Sequence, residues 1–273
     1  MIERYRTWLY APLDHPDRCL RALTSDADQV IWDLEDAVDE SSKESARETL
    51  TSLLGTSLSR TPWVRINGLD TPWGLKDLQS VAAFGSKAPR WVVPKASRKT
   101  VQTLQSVGIG GQWLLIIETA EGLLDILNGP VQAWDIPGEV RLAFGSLDYR
   151  NDIGAQETSD ESELLMPRSL IVLASRRWRW DPPIDAVIPS IHDTEALRDS
   201  ASRGRSLGFG GKMIIHPRQI LPVHQVYEPT AQEIAWAHEV ISASQSHGTV
   251  QVEGAMVDRP VVARARQILA DAQ

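Results

Sequence analysis

The residues best placed to do chemistry are Asp33, Glu35 and Asp36, then Arg65 and Asn67, Lys95, Glu118, Asp148 and His216, each of which closes or follows a short apolar run. Glu118 comes directly after Trp113-Leu-Leu-Ile-Ile, and Asp148 lies just past Val140-Arg-Leu-Ala-Phe. Two such carboxylates beside a third acidic cluster, without clustered histidine or cysteine, describe a site for a hard cation. Magnesium suits it, because that ion takes oxygen ligands, needs only one or two protein carboxylates and keeps positions open for substrate oxygens. The six histidines show no HxxxH or HExxH spacing, which argues against zinc. Arg65 stands where a guanidinium could stabilise negative charge developing on an oxygen, as an enolate requires. It could equally pair with Glu35 or Asp36, and the two roles are compatible. Among so many carboxylates Lys95 reads better as an ion-pairing lysine than as a Schiff-base nucleophile. Asp33, Glu35 and Asp36 also fit the blander role of loop and helix-capping carboxylates.

These residues need elements to hold them. Apolar runs of strand length recur at Trp8–Ala11, Val30–Leu34, Trp63–Ile66, Trp91–Val93, Leu114–Ile117, Val140–Phe144, Ala186–Ile188 and Met213–Ile215. Between them, Ser41–Leu54, Asp70–Ala83, Leu164–Arg177 and Asp193–Leu207 repeat apolar residues at three and four positions, and Ala120–Leu127 does so more weakly. Strict alternation of strand and helix implies parallel pairing with strands buried on both faces. Eight such units in 273 residues fit a (β/α)8 TIM barrel better than an open doubly wound sheet. In such a barrel the strand C-termini converge on one face, so the residues listed above meet there.

Composition agrees with one large core. Hydrophobic residues make up 42% of the chain, and 28 basic against 36 acidic residues give a net charge of −8, which argues against nucleic acid or an anionic membrane as partner. Cys19 is the only cysteine, so no intrachain disulfide forms and a reducing, cytoplasmic setting is expected. Met1–Ala11, with charges at Glu3, Arg4 and Arg6, lacks a signal-like apolar stretch. Gly108, Gly110 and Gly111 precede a strand and read as a turn, not a dinucleotide loop. Arg176-Arg-Trp-Arg-Trp180 falls at the end of the barrel opposite the chemistry and reads as packing or a subunit contact. Asp193 reads as a helix N-cap, His192 as a surface histidine and His216 as a loop anchor.

Several stretches, in consistent order from about Arg6 to Leu269, carry a resemblance: Asp33-Leu-Glu-Asp-Ala-Val, Val64-Arg-Ile-Asn, Asp70-Thr-Pro-Trp-Gly, Val93-Pro-Lys, Ile117-Glu-Thr-Ala-Glu-Gly, Gly211-Lys-Met-Ile-Ile-His-Pro-Arg-Gln and Met256-Val-Asp-Arg-Pro. Together they resemble the HpcH/HpaI aldolase and citrate lyase beta-subunit-like family. The resemblance implies a magnesium-dependent barrel lyase that makes or breaks a carbon–carbon bond beside a carbonyl, commonly on citryl-, malyl- or citramalyl-CoA, to give an acyl-CoA and an α-keto acid. It implies that Glu118 and Asp148 ligate the metal, that Asp36 or Glu35 orders its waters and that Arg65 contacts the keto-acid oxygens. Arg18, in the loop from Pro12, is placed near the CoA phosphates, and Lys95 is assigned to the cofactor side with it. Asp258 corresponds to an acid/base aspartate on a C-terminal segment that closes over a neighbouring subunit, so a trimer or hexamer is implied; ahead of Pro260 it also looks like a helix N-cap. The expected organisation is a barrel over residues 1–246 and a hairpin-and-helix lid over 247–273. Two positions depart from the family pattern, Leu13 where glycine is usual and Leu147 where glutamate is usual. Leu13 is expected to narrow the approach of a pantetheine arm, which leaves open a CoA-independent aldolase of free hydroxy-diacids. A non-catalytic acyl-CoA-binding homologue is a further alternative, disfavoured by the retained Arg65, Glu118 and Asp148.

Overall fold

A computed structural model describes residues 5–83, 90–129, 134–245, 251–252 and 254–272. Eight parallel strands close into a barrel in chain order, with β1 (Thr7–Pro12) hydrogen-bonded to both β2 (Gln29–Asp33) and β8 (Gly211–Ile214). The others are β3 (Trp63–Arg65), β4 (Arg90–Val93), β5 (Gly111–Ile117), β6 (Gly138–Phe144) and β7 (Ile184–Asp185). Helices α1 (Pro16–Leu23), α2 (Lys43–Leu54), α3 (Gly74–Ala82), α4 (Arg98–Val107), α5 (Ala120–Asn128), α6 (Ser146–Ile153), α7 (Leu165–Arg177) and α8 (Thr194–Leu207) lie between the strands. This is the (β/α)8 architecture expected from the alternation.

Pleating explains which residues reach the barrel interior. Trp8, Ile31, Trp63, Val92, Ile116, Ala143, Ile184 and Met213, one from each strand, form a buried cluster together with Leu114. Trp8 and Trp63 lie 5.0 Å apart at its floor. Side chains alternate faces along a strand, so the residues two positions further on form the next inward layer. From β1, β2, β3 and β5 these are Tyr10, Asp33, Arg65 and Glu118. A dry apolar layer therefore carries a charged one at the C-terminal mouth.

The expected seventh strand is displaced. Ala186–Ile188 is not strand; β7 is the pair Ile184–Asp185, hemmed in by Pro182, Pro183 and Pro189, which cannot donate to a ladder. Its Asp185 faces outward and is buried, accepting from Arg168 Nε at 2.9 Å and from Lys212 Nζ at 3.2 Å. Arg168 also donates through both terminal nitrogens to Glu161 at 3.1 Å. Glu161 holds a left-handed backbone (φ 53°), and despite its burial the hydrogen bonds and charge of Arg168 hold its carboxyl down to about 2. This charge network between the barrel strands and α7 escaped the sequence reading because each residue looks like an ordinary surface charge.

Helix α3 begins at Gly74, not Asp70, because Gly68–Thr71 form a turn in which the Thr71 amide donates to Gly68 O at 3.0 Å. A Cβ on Gly74 would lie 2.3 Å from Gly68 O, so only glycine permits this close approach. The helix expected from Ser41 starts at Lys43, after a 3-10 turn over Glu40–Ser42. Gly108 ends α4 in the left-handed region, as a turn glycine should. At the far end Trp178 stacks on Trp180, and Trp178 Nε1 and Arg177 bond to the carbonyls of Ile126, Leu127 and Gly129 that end α5. That is intramolecular packing at the barrel floor.

After β8 come α9 (Ile220–Tyr227) and α10 (Ala231–Ala243), then a two-stranded antiparallel hairpin of β9 (Gln251–Val252) and β10 (Ala255–Met256), then α11 (Arg259–Asp271). Ala237 and Val240 of α10 pack with Ala265 and Ile268 of α11 in a separate apolar cluster. The boundary expected between residues 246 and 247 falls outside the described residues, as do Glu3 and Arg4.

Candidate active site

Arg65, the last residue of β3, is the hub. Asp33, at the end of β2 beside it, accepts from its Nε at 2.7 Å through Oδ1 and from Nη2 at 2.5 Å through Oδ2. That fork-on-fork geometry fixes the guanidinium plane and leaves Nη1 facing Glu35 Oε2 at 2.9 Å and Asp36 Oδ2 at 3.3 Å. Burial opposes the arginine's charge, and the surrounding anions, Asp33 foremost, more than restore it. The second Asp33 task is to hold the loop: it accepts from the amides of Glu35 at 2.8 Å and Ala37 at 3.2 Å. Lys43 completes the loop by donating to the carbonyls of Leu34 and Glu35, each at 2.8 Å. Burial pushes the Glu35 carboxyl well above its ordinary value, whereas Asp36 is largely exposed. The expected pairing of Arg65 with Glu35 and Asp36 is present, but Asp33, first of the same acidic cluster, is the principal partner. Its signal was its place, inward-facing at a strand end next to an arginine.

Glu118 follows β5 and is 2% exposed. Its Oε1 accepts from the backbone amide of Lys95 at 2.7 Å, and Lys95 holds a left-handed backbone (φ 47°) to present that amide. The ion pair expected of Lys95 is not made among the described residues: its main chain serves the site, while its exposed ammonium bears on Asp148 only through longer-range attraction. Asp148 does not extend β6. It lies in the first turn of α6, after the chain turns at Gly145, where free amides favour a carboxylate. A Cβ at Gly145 would stand 2.3 Å from Glu118 Oε2, so the glycine makes room for that carboxylate. Asn67 is fixed by Asp77, which accepts from its amide at 2.9 Å and from Nδ2 at 2.6 Å.

Asp33, Asp36, Arg65, Glu118 and Asp148 line one cavity of about 290 Å³ at the barrel mouth. Among the described residues no group of three histidine, cysteine or acidic side chains gathers as a metal cage. Two carboxylates in one cavity are the set that a hexacoordinate hard ion uses when water and substrate oxygens complete its shell. Burial, followed by the charge of Asp148, pushes the Glu118 carboxyl up to about 7, and burial, then Asp36, raises that of Asp148. Arg65 and Lys95 relieve the pair's negative charge only in part, and a divalent cation would neutralise the rest, so the residues fit magnesium.

A pH dependence follows. With its carboxyl near 7 in the fold and in the ordinary range when unfolded, Glu118 binds more proton folded than unfolded between about 4.5 and 7. Its contribution to stability falls as pH rises through that window and stays low above it. Magnesium competes with the proton, so the rise in melting temperature on adding magnesium should be larger at pH 8 than at pH 6. Equal rises at both pH values would contradict the placement of the ion.

A second cavity, of about 470 Å³, shares Tyr10 and Ile215 with the first; Arg18, Arg21, Pro12 and His216 are also in its lining. Leu13 is absent from both linings. It is fully buried in the shell between barrel and helices, its amide donating to Asp33 O at 3.0 Å, so the expected narrowing does not occur. Leu147 does line the smaller cavity. His216 caps the following turn, its Nδ1 accepting from the Arg218 amide at 3.1 Å, and Asp193 caps α8, accepting from the Ala196 amide at 2.9 Å. Asp258 is exposed, caps α11 by accepting from the Val261 amide at 3.1 Å, and lines neither barrel-mouth cavity of its own chain.

Residues 6–217 match the HpcH/HpaI aldolase/citrate lyase family. The chain belongs to that family. It is therefore an enzyme of the aldolase and citrate lyase type. It is 30% identical over 280 residues to the citrate lyase subunit beta-like protein of Deinococcus radiodurans, covering 97% of this chain and 96% of that one. It is 34% identical over 281 residues to a (3S)-malyl-CoA thioesterase of Cereibacter sphaeroides, covering 98% and 95%. Among solved structures, CitE of Mycobacterium tuberculosis in complex with magnesium, acetoacetate and coenzyme A superposes with a TM-score of 0.85 at 31% identity, over 100% of this chain and 99% of that one. The citrate lyase beta subunit of M. tuberculosis complexed with oxaloacetate and magnesium gives 0.69 at 31% identity, over 83% and 98%.

Proposed function

We propose that this protein is a magnesium-dependent carbon–carbon lyase that cleaves, or forms, a β-hydroxyacyl-CoA such as citryl-, malyl- or citramalyl-CoA, giving an acyl-CoA and an α-keto acid. The observation that carries the reading is the Arg65 guanidinium, held flat by Asp33, in one cavity with the Glu118 and Asp148 carboxylates. Those carboxylates would hold the ion, which supplies a Lewis acid for the oxygens of the keto acid. Arg65 donates to the keto-acid carboxylate and carbonyl and steadies the charge that grows there as the bond is made or broken. Buried Glu35 and exposed Asp36 order water at the rim. Asp258, brought by the C-terminal segment of a neighbouring subunit in a trimer or hexamer, takes a proton from the thioester α-carbon in the condensing direction and returns it in cleavage. Arg18 and Arg21 receive the phosphates of CoA. The lone cysteine is buried, with burial pushing its thiol up to about 12, and no described helix is long and apolar enough to cross a membrane.

The CoA-independent aldolase loses its main support, since Leu13 points into the core, and it leaves the 470 Å³ cavity without a role. Assaying malyl-, citramalyl- and citryl-CoA beside the free hydroxy-diacids, with magnesium and with EDTA, tests the reading. Turnover of the free acids alone, or turnover that survives EDTA, would refute it. In the same assay Arg65→Lys is expected to lower kcat about 10²- to 10³-fold, because an ammonium cannot reproduce the planar fork, and to lower the melting temperature as well, since buried Asp33 loses its two-point partner. Wild-type turnover in that variant would remove Arg65 from the chemistry.

A further inference from the structure

The two cavities share Ile215 and Tyr10, the latter the inward residue one layer above Trp8 on β1. One side of the junction holds Arg65 and the Glu118 and Asp148 carboxylates; the other leads to Arg18 and Arg21. A ligand with its reacting end in the first cavity and its anionic tail in the second bridges the two where Tyr10 and Ile215 line both. The ring is pinned there, with the Arg65 guanidinium carbon 4.7 Å from its centre, a cation–π contact that fixes both partners. The hydroxyl is less well occupied. It donates to Met213 Sδ at 3.3 Å, and a thioether sulfur is among the weakest acceptors a protein offers.

A partly buried phenol that gives its one proton to a thioether is ready to give it to a carbonyl oxygen. Burial, and the carboxylates of Asp33, Glu118 and Glu35, keep the phenol protonated against the opposing pull of Arg65, so at neutral pH it can donate. Resting on the acyl-CoA reading above, we propose that Tyr10 is the donor to the thioester carbonyl oxygen of the substrate, exchanging the Met213 sulfur for that oxygen when the two cavities are bridged. The hydrogen bond strengthens as charge moves onto the oxygen in the enolate, so Tyr10 acts on turnover as well as on binding. No bond to Tyr10 forms or breaks. The same residue also sets specificity: a ligand with no carbonyl at the junction forfeits the contact.

Equilibrium binding tests this without depending on turnover. The probes are acetyl-CoA and its S-ethyl thioether analogue, which keeps the nucleotide, the pantetheine arm and a two-carbon group but has no carbonyl. The wild-type protein should prefer acetyl-CoA by about 3- to 10-fold, the value of one neutral hydrogen bond. Tyr10→Phe, which keeps the ring over Arg65, should abolish the preference while leaving oxaloacetate binding in magnesium within about twofold. With a substrate that turns over, Tyr10→Phe should lower kcat by about 10²-fold. A preference that persists in Tyr10→Phe, or is absent from the wild type while both probes bind, overturns the assignment to Tyr10 and leaves the lyase reading intact. Failure of the wild type to bind either probe overturns both.

Discussion

Glu118→Gln is expected to lower magnesium-dependent turnover about 10³-fold and yet to leave the metal-free protein at least as stable as the wild type at pH 8. The two effects have one cause. Glu118 is a buried carboxylate, pushed up to about 7 by burial and by Asp148, and at pH 8 the fold bears the cost of ionising it. A neutral amide of the same shape removes that cost. It can still accept the Lys95 amide through its carbonyl and still use the space that Gly145 leaves, which alanine would waste. What it lacks is the charge that attracts the cation. The charge stabilisation supplied by a catalytic metal is worth several kcal/mol, and about 1.4 kcal/mol corresponds to tenfold in rate. Turnover, calorimetric magnesium binding and melting temperature are read on the same preparation. Unchanged magnesium affinity would place the ion elsewhere, and a lower melting temperature at pH 8 would show that the carboxylate is structural.

Asp258→Asn should lower turnover by about 10²- to 10⁴-fold, the usual range for losing a general acid–base group, with almost no effect on folding. Asparagine caps a helix about as well as aspartate, so the bond to the Val261 amide and the start of α11 are kept. Asp258 is exposed at the head of a helix that rests on α10, outside the barrel-mouth cavities of its own chain. If it serves a neighbouring barrel, mixing Asp258→Asn subunits with Glu118→Gln subunits restores part of the activity, since some hybrid sites pair a sound barrel with a sound aspartate. Normal turnover by Asp258→Asn on every thioester and free acid accepted by the wild type would reduce the residue to a cap.

Much of the site was legible because the strand pleat is regular. Trp8 and Tyr10, Ile31 and Asp33, Trp63 and Arg65, Ile116 and Glu118 are pairs two residues apart, apolar below and functional above, and parallel strands put the upper members on one rim. Where the period stops, the pleat no longer says how a residue arrives or which strand pairs. Asp148 is in the mouth through a helix turn, and a two-residue β7 between prolines has no periodicity to detect. The Asp33 partnership depends on which of three neighbouring acids faces inward, which a count of acidic residues does not resolve. Leu13 looked obstructive because its side-chain direction is decided by the fold, not by its size.

Position 95 has a consequence for how such sites change over time. The group that reaches Glu118 there is a main-chain amide, which every residue except proline possesses, so the letter at this position can drift while the contact persists. What selection can see is the left-handed turn, open to glycine and asparagine at little cost and to β-branched residues at a high one. Aligned sequences would then show a mixed column of lysine, glycine and asparagine, easily taken for neutrality. Its missing members, proline, valine and isoleucine, would be the record of the role.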